Sequence, residues 1–169
     1  SHGMDGVGIE RAQGFLSDHY DPKHKVLRLS PDVYGGTDLA AAWGKDEARS
    51  YLGIMVPDYP NLFLTLGPNS APNHAAGVNM VIEAQLQYII EALDLLVASG
   101  AHAIEPTLAA YEDWNRRVEA QMKLMVWTHP KARSYYLAST GRNWVSSPFR
   151  LADYWAMTRA PDPAAMRLS

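Results

Sequence analysis

Apolar side chains recur at intervals of three and four residues through the middle of the chain, which predicts a long amphipathic helix between Val78 and Gly100. Gly100 is a typical residue at the end of a helix because glycine adopts the left-handed conformation without strain. The apolar positions of this helix are Val78, Val81, Ile82, Leu86, Ile89, Ile90, Leu93 and Leu96. It is the most clearly predicted element of the chain.

A second amphipathic helix is predicted to begin near Pro106 and Thr107, because proline is favoured in the first turn and an apolar pattern follows directly. Its apolar face carries Leu108, Tyr111, Trp114, Val118, Met122 and Met125, and its polar face carries Glu112, Arg116, Glu119 and Lys123. Beyond Pro130 the chain is rich in serine, glycine and aromatic residues, and there only residues 149–157 have a helical pattern.

The N-terminal third has the short patterns of strands. Residues 14–16 and 25–29 are extended candidates, and the turn-forming residues 17–22 between them predict a hairpin. Residues 37–50 are loosely helical or irregular, and residues 51–55 are a further candidate strand. Together these patterns predict an α+β fold that is mostly helical. Short strands and a hairpin lie in the N-terminal third, followed by two long amphipathic helices and an aromatic-rich irregular C-terminal region.

A ligand site is predicted where the apolar run of residues 62–66 breaks into the turn Gly67-Pro68-Asn69 and leads to the long helix. This pattern is typical of a buried strand, a tight loop and a helix N-terminus. Ligands lie beyond the carboxyl ends of strands in open α/β sheets, and the free N–H groups of a helix N-terminus favour an electron-rich ligand. The glycine-rich turn that would hold a pyrophosphate has only a near match at residues 6–8, with Arg11 in place of the third glycine.

Composition narrows the possible partners. The 169 residues are 47% hydrophobic, enough for the core of one domain, and a formal net charge of −3 provides no basic patch for nucleic acid or anionic lipid. The chain has no cysteine, which excludes disulfides and thiolate sites, and it has no apolar run of about 20 residues that would span a membrane. We expect a cytoplasmic protein that binds neither nucleic acid nor membrane, with residues 1–3 as a cloning scar.

Candidate acid-base and metal residues are few. No two of the six histidines have the i, i+4 spacing of a helical metal site, so no metal site is predicted. His19 and His24 are most simply structural or exposed, and Glu83 and Glu91 are most simply a buried hydrogen-bonded carboxylate and a solvated one. For Asn73 and His74, a ligand-binding role and a role as turn or cap residues are equally open. The sequence has no nucleophile elbow, and we predict no catalytic residue.

From about residue 40 to its end, the chain resembles the final portion of flavin-dependent Baeyer-Villiger monooxygenases. The landmarks of this resemblance are residues 51–54, 60–63, 67–69, 82–85, 88–89, 114–115, 134–136 and 141–143, in family order. The resemblance implies that this portion closes a domain that binds FAD. It also implies that the loop from Gly67 and the helix from Val78 lie against the flavin ring. The cofactor-binding residues implied are Gly67, Pro68, Asn69, Asn73, His74, Gly77 and Val78.

The resemblance also implies what the sequence lacks. In that family the glycine-rich FAD motif, the NADPH domain and the central signature precede the matched portion, and they have no counterpart here. We therefore expect no autonomous catalysis and no FAD bound by this chain alone, although FAD is the cofactor of the parent family. The alternative is a flavin-binding subunit or fragment of an NADPH-dependent monooxygenase that oxygenates ketones.

Residues 6–36 resemble a different family, the bacterial neutral zinc metallopeptidases. The similarity lies in residues 14–22 and 26–34, which resemble the segment before the zinc-binding helix of that family. The His-Glu-x-x-His motif that should follow is absent from the sequence, so zinc hydrolysis is not expected. We interpret the chain as a chimera of a zinc-peptidase-like segment, residues 4–36, and a monooxygenase-like region, residues 37–169. A part of a larger enzyme exposes apolar surface, so we also expect a homo-oligomer.

Overall fold

The computed structural model describes residues 38–44, 47–72, 77–129 and 136–169, together with the backbone of the two short strands β1 (Tyr20–Asp21) and β2 (Val26–Leu27). The chain divides into two compact units, Ser1–Asp38 and Leu39–Ser169, which are described separately.

In the first unit, β1 and β2 form an antiparallel hairpin in which Tyr20 lies opposite Leu27. The predicted hairpin is therefore present, but its first strand lies within residues 17–22, where we predicted the turn. The candidate strand at residues 14–16 lies outside the described residues.

The described part of the second unit is mostly helical. Its helices are α1 (Leu39–Trp43), α2 (Val78–Ser99), α3 (Leu108–Met122) and α4 (Leu151–Met157), with 3-10 turns at Val126–Thr128 and Pro163–Ala165. A small antiparallel sheet joins β3 (Ile104–Pro106) to β4 (Met166–Leu168), with Ile104 opposite Leu168. The aromatic-rich stretch between residues 136 and 150 is irregular. None of the helices in the described ranges combines the length and the apolarity needed to cross a membrane.

The ends of the two long helices match the sequence signals. Gly100 follows α2 with φ 70°, and its N–H donates to the carbonyl of Val97 at 3.2 Å. Thr107 caps α3, and its hydroxyl oxygen accepts a hydrogen bond from the N–H of Ala110 at 3.2 Å. Both ends are therefore determined by local chemistry.

The core face of α2 matches the predicted face only in part: Val81 is buried, and Ile89 and Leu96 pack against the core, as predicted. The buried residues of α2 are Val81, Ala84, Gln85, Tyr88 and Ala92. Val78, Leu86, Ile90 and Leu93 are 43–55% exposed, although they were assigned to the predicted apolar face. Small residues on the inner face let α2 pack closely, which leaves its larger aliphatic residues outside. Similarly, Trp114, Val118 and Met122 of α3 are buried as predicted, whereas Leu108 is 59% exposed.

Residues 51–55, predicted as a strand, form a tight turn instead. Leu52 and Gly53 both have positive φ, 56° and 74°, and the N–H of Tyr51 donates to the carbonyl of Met55 at 2.7 Å. A left-handed pair of residues reverses the chain, whereas a strand would extend it. Leu52, Ile54 and Met55 are nonetheless buried, so their apolar character reflects burial in the core.

Residues 62–66, predicted as a buried strand, belong to no strand of the described sheets, and the chain bends at residues 65 and 66. The N–H of Leu64 donates to the carbonyl of Ile54 at 2.7 Å, so this segment bonds to the turn. Leu66 has φ 55° and is 40% exposed, so it lies on the surface in a conformation that a strand does not contain. The apolar pattern correctly predicted that this segment contacts the core, against which Phe63 packs. It wrongly predicted that the segment pairs with another strand.

We predict that Gly53→Ala destabilises the protein by about 2–3 kcal/mol more than Gly100→Ala. Both glycines have φ near 70°, so both substitutions introduce the same backbone strain. A Cβ at Gly53 would overlap the side chain of Ser70, whereas a Cβ at Gly100 has no neighbour within 4 Å. Urea unfolding of the two variants measures the difference, and equal losses of stability would contradict the close approach of Gly53 and Ser70.

Candidate functional site

The side chain of Gln85 holds the candidate ligand loop against α2. It is fully buried, and its Oε1 accepts a hydrogen bond from the N–H of Leu66 at 2.8 Å. Its Nε2 donates to the hydroxyl of Tyr154 at 2.9 Å, and that hydroxyl donates to the carbonyl of Leu52 at 2.6 Å. Three separate segments of the chain therefore meet at one amide.

Gly67 lies directly against Gly53. Its N–H donates to the carbonyl of Gly53 at 3.2 Å, and a Cβ at Gly67 would lie 2.5 Å from that carbonyl oxygen. Close packing of two backbone segments therefore requires glycine at Gly67, whether or not a ligand is present. The sequence signal at this position has a structural cause.

Asn69, which we predicted as a cofactor-binding residue, directs its polar groups into the protein. It is 2% exposed with φ 59°, and its Nδ2 donates to the carbonyls of Asn143 at 2.8 Å and Ser146 at 3.1 Å. Its Oδ1 accepts a hydrogen bond from Arg142 at 2.8 Å, and its own N–H donates to the carbonyl of Trp144 at 2.8 Å. The side chain and N–H of Asn69 therefore position the loop and are not available to a ligand.

The rest of the loop is fixed in the same way. Pro68 is buried, and its carbonyl accepts a hydrogen bond from the hydroxyl of Ser50 at 3.0 Å. Ser70 donates to the carbonyl of Gly67 at 2.7 Å, and Ala71 forms a parallel bridge with Ser146. These bonds provide a rigid backbone surface, as backbone recognition of a planar ligand requires.

The N-terminus of α2 has no side-chain cap among the described residues. Gly77 precedes the helix in an extended conformation (φ −70°, ψ 144°). Gly77 and Val78 are exposed, and the first turn contains no acidic residue. Such a terminus carries partial positive charge that favours an electron-rich ligand edge. Asn73 and His74, the other predicted residues, lie outside the described residues.

An apolar cavity of about 460 Å³ lies beside the loop. Its lining residues are Trp43, Ala48, Leu64, Thr65, Leu66, Gly67, Pro68, Trp144 and Val145. Two indole rings and several aliphatic groups suit a flat apolar ligand, and the buried Nε1 of Trp43 has no hydrogen-bond partner. The described lining residues include no carboxylate and no imidazole, so they can bind and shield a ligand but offer no side chain for proton transfer.

The buried tyrosines near the loop are not acid-base groups at neutral pH. Burial raises the pKa of Tyr88 and of Tyr154 above the ordinary value of 10.0. Burial, together with the carboxylate of Asp162, also raises the pKa of Tyr51. The described residues contain no cluster of three or more potential metal ligands, and of the six histidines these ranges include only His102 and His129.

The proteins similar to this chain are flavin-dependent monooxygenases. The chain is 31% identical over 174 residues to a Baeyer-Villiger monooxygenase of Pseudomonas aeruginosa, which covers 98% of this chain and 32% of that protein. It is 27% identical over 161 residues to an uncharacterized monooxygenase, y4iD, of Sinorhizobium fredii, covering 95% of this chain and 24% of that protein. A Baeyer-Villiger monooxygenase of Streptomyces coelicolor is 34% identical over 130 residues, which cover 76% of this chain and 25% of that protein.

Solved structures share the fold. Cyclohexanone monooxygenase from Rhodococcus sp. Phi1 bound to NADP+ superposes with a TM-score of 0.65 and 19% identity, over 87% of this chain and 32% of that one. An oxidized steroid monooxygenase bound to NADP superposes with a TM-score of 0.65 and 22% identity, over 79% of this chain and 25% of that one. The chain thus spans about a quarter to a third of the length of these relatives and structures.

Residues 1–43 match the model of a second family, described as putative neutral zinc metallopeptidases. Both resemblances expected from the sequence are therefore present. The two alignments that cover 95% and 98% of the chain also include residues that the zinc metallopeptidase model matches. The N-terminal segment thus has similarity to both families.

We predict that Gln85→Leu lowers the free energy of unfolding by about 2–4 kcal/mol, because it leaves the N–H of Leu66 and the hydroxyl of Tyr154 with one partner fewer. Tyr154→Phe should lower it by about 1–2 kcal/mol, and the double variant should lose less than the sum. Chemical unfolding of all three variants measures this coupling. Gln87→Leu is the matched control, because Gln87 bonds only to Glu91 and its replacement should cost less than about 0.5 kcal/mol.

We also predict that stability falls as the pH rises above about 10, the pKa of tyrosine in the unfolded chain. The pKa values of Tyr88 and Tyr154 are raised by folding, so the unfolded chain loses these protons first and is favoured at high pH. Each group should contribute a loss of about 1.4 kcal/mol per pH unit. Unfolding measured between pH 8 and 12 tests this, and Tyr154→Phe should show a shallower decline than the unsubstituted protein.

Proposed function

We propose that this chain is the cofactor-facing portion of a Baeyer-Villiger-type monooxygenase and has no catalytic activity alone. The observation that carries the proposal is the apolar stripe on α2, formed by Leu86, Ile90, Leu93 and Val97, which lies opposite the core face and is 43–80% exposed. Four large aliphatic residues on one uncovered helix face indicate a surface made for another part of an enzyme. The chain matches only a part of each relative, which supports this interpretation.

In this role the chain contributes binding and positioning. The open N-terminus of α2 would place partial positive charge toward the electron-rich edge of the flavin, and the loop from Gly67 to Ala71 would contact the ring through its backbone. Trp43 and Trp144 would exclude water from the adjoining cavity. When bound, FAD supplies the redox chemistry. Residues for its pyrophosphate and for NADPH would come from another polypeptide segment.

The proposal includes two features of the chain that were expected from its sequence. Residues 4–36 would be a zinc-peptidase-like segment that is joined to the monooxygenase-like region, residues 37–169. The family model that matches residues 1–43 supports this, and so does the division of the chain after Asp38. In the absence of the remaining enzyme, a second copy would cover the apolar stripe, and the protein would form a homo-oligomer.

The alternative function is that of a flavin-binding fragment or subunit that takes part in NADPH-dependent oxygenation of ketones. The names of two relatives favour this substrate class, a cyclohexanone 1,2-monooxygenase of Acinetobacter sp and an acetone monooxygenase of Gordonia sp.. The apolar cavity beside Pro68 supports binding of a flat ring. This alternative requires the chain to retain FAD without the glycine-rich segment.

We predict that the purified chain does not retain FAD and that its mass in size-exclusion light scattering rises with concentration. Ile90→Glu should reduce the mass to that of one chain, because a carboxylate in the apolar stripe opposes its burial. Leu124→Glu is the matched control, since Leu124 is 79% exposed but lies outside the stripe, and it should leave the association unchanged.

Stoichiometric FAD with a shifted absorbance band would contradict the leading proposal and support the alternative. A single-chain mass at all concentrations would contradict self-association through the stripe. A variant that lacks residues 1–36 extends the test to the chimera, because removal of a segment that is not part of the monooxygenase-like region should leave both the FAD titration and the mass profile unchanged. A change in either would contradict the independence of the two segments.

A further inference from the structure

We propose that a second cavity, on the side of α3 near its C-terminal end, binds a small organic anion with one oxyanion group on a short apolar body. The cavity has a volume of about 390 Å³, and Arg142, Asn143 and Lys123 are among its lining residues. It shares no lining residue with the apolar cavity beside Pro68. This inference therefore does not depend on the proposed monooxygenase role.

Two of the residues that line this cavity have a buried donor without a hydrogen bond. Asn143 is 2% exposed, and its Oδ1 accepts hydrogen bonds from the N–H groups of Val145 at 3.2 Å and Ser146 at 3.0 Å, while its Nδ2 has no partner. The Nε of Arg142 also has no hydrogen-bond partner. Buried donors of this kind are uncommon in folded proteins, and a ligand oxygen would satisfy them.

The two carboxylates among the lining residues pair mainly with Arg49. Glu119 lies 2.6 Å from the guanidinium of Arg49, and Glu47 lies 3.4 Å from the same group. Glu119 is 3.9 Å from the Nε of Arg142, which is too far for a hydrogen bond. With three cationic and two anionic side chains among the lining residues, a net positive charge remains. The structure thus leaves part of the charge of Arg142 and Lys123 without a counter-ion.

The environment of Arg142 is consistent with a positive charge that lacks a full counter-ion. Its side chain is 12% exposed, and burial together with the nearby charge of Arg49 lowers its pKa from the ordinary value of 12.5. The guanidinium stays charged at neutral pH, because arginine titrates far above that range. An anion beside it would offset part of the cost of burying this charge.

The apolar residues that line the cavity indicate what the uncharged part of the ligand would be. Val118 and Met122 provide an apolar surface, and the exposed side chains of Lys123 and Thr140 lie at the accessible part of the cavity. A bare inorganic anion would leave the apolar wall uncovered, whereas a short aliphatic carboxylate would use both the donors and the wall. The ligand class is therefore a monoanion with an apolar body of a few carbon atoms.

The site is also joined to the candidate flavin loop. One terminal nitrogen of Arg142 donates to the carbonyl of Ala48 at 2.8 Å, and the other donates to the Oδ1 of Asn69 at 2.8 Å. These two bonds use the ends of the guanidinium and leave Nε without a hydrogen bond. A bound anion would thus stabilise the residue that holds Asn69.

Binding of hexanoate to the full chain, measured by ligand-detected NMR and by thermal shift, tests the proposal. We expect hexanoate to bind and to raise the unfolding temperature, 1-hexanol not to bind, and inorganic phosphate to bind more weakly than hexanoate. Asn143→Asp keeps the acceptor of Asn143 but replaces its free donor with negative charge, so it should weaken hexanoate binding by at least about tenfold. Lys123→Gln and Thr140→Val alter exposed groups only, and together they should weaken it several-fold.

Arg159→Gln is the matched control, because it removes one positive charge from outside the cavity and should leave hexanoate binding unchanged. If Asn143→Asp does not fold, the exposed pair Lys123→Gln and Thr140→Val still tests the site. The proposal is overturned if hexanoate does not bind, if 1-hexanol binds equally well, or if phosphate binds more tightly than hexanoate. Equal weakening by Arg159→Gln would also overturn it, since the effect would then reflect net charge alone.

Discussion

The buried amide of Gln85 is the interaction on which the second unit of this protein depends. Its oxygen accepts a hydrogen bond from the N–H of Leu66, and its nitrogen donates one to the hydroxyl of Tyr154. That hydroxyl in turn donates to the carbonyl of Leu52. Neither of the segments around Leu52 and Leu66 has the regular pairing of a strand. Because unpaired buried backbone groups are costly, side-chain bonds from α2 and α4 provide what a sheet would otherwise provide. The loop therefore has a defined shape without being part of a sheet.

These hydrogen bonds within the protein limit which groups of the loop can contact a ligand. Asn69, Ser70 and Gly67 use their polar groups or their small size within the protein. A ligand at this surface meets a fixed backbone, an apolar cavity and the open end of α2. Such a surface can position and shield a cofactor, but it contains no described group that moves protons or binds a metal.

The sequence predicted the elements that local chemistry determines. The spacing of apolar residues located α2 and α3, and Gly100 and Thr107 marked two of their ends. It did not predict the three-residue strands β3 and β4, because about 60 residues separate them and neither has a pattern of its own. It also assigned strands to residues 51–55 and 62–66, where positive φ values and bonds to Gln85 determine the conformation.

The sequence was least informative about which face of α2 packs against the core and about the orientation of the Asn69 side chain. Apolar residues surround much of α2, so hydrophobicity alone did not reveal that Ala84, Gln85 and Ala92 face the core while Leu86 and Ile90 do not. Similarly, the Gly67-Pro68-Asn69 turn indicated a ligand loop, but the partners of Asn69 lie more than 70 residues away. Contacts over such distances depend on packing and are not encoded in a local pattern.

The most direct test of the central claim is hydrogen-deuterium exchange on the full chain. It would be measured alone, with FAD, and with the FAD-loaded remainder of the related Pseudomonas aeruginosa Baeyer-Villiger monooxygenase. If the chain is the cofactor-facing portion of such an enzyme, exchange should slow at residues 64–72 and in the first turns of α2 only when that remainder is present. Unchanged exchange in all three conditions, or full protection by FAD alone, would contradict the account.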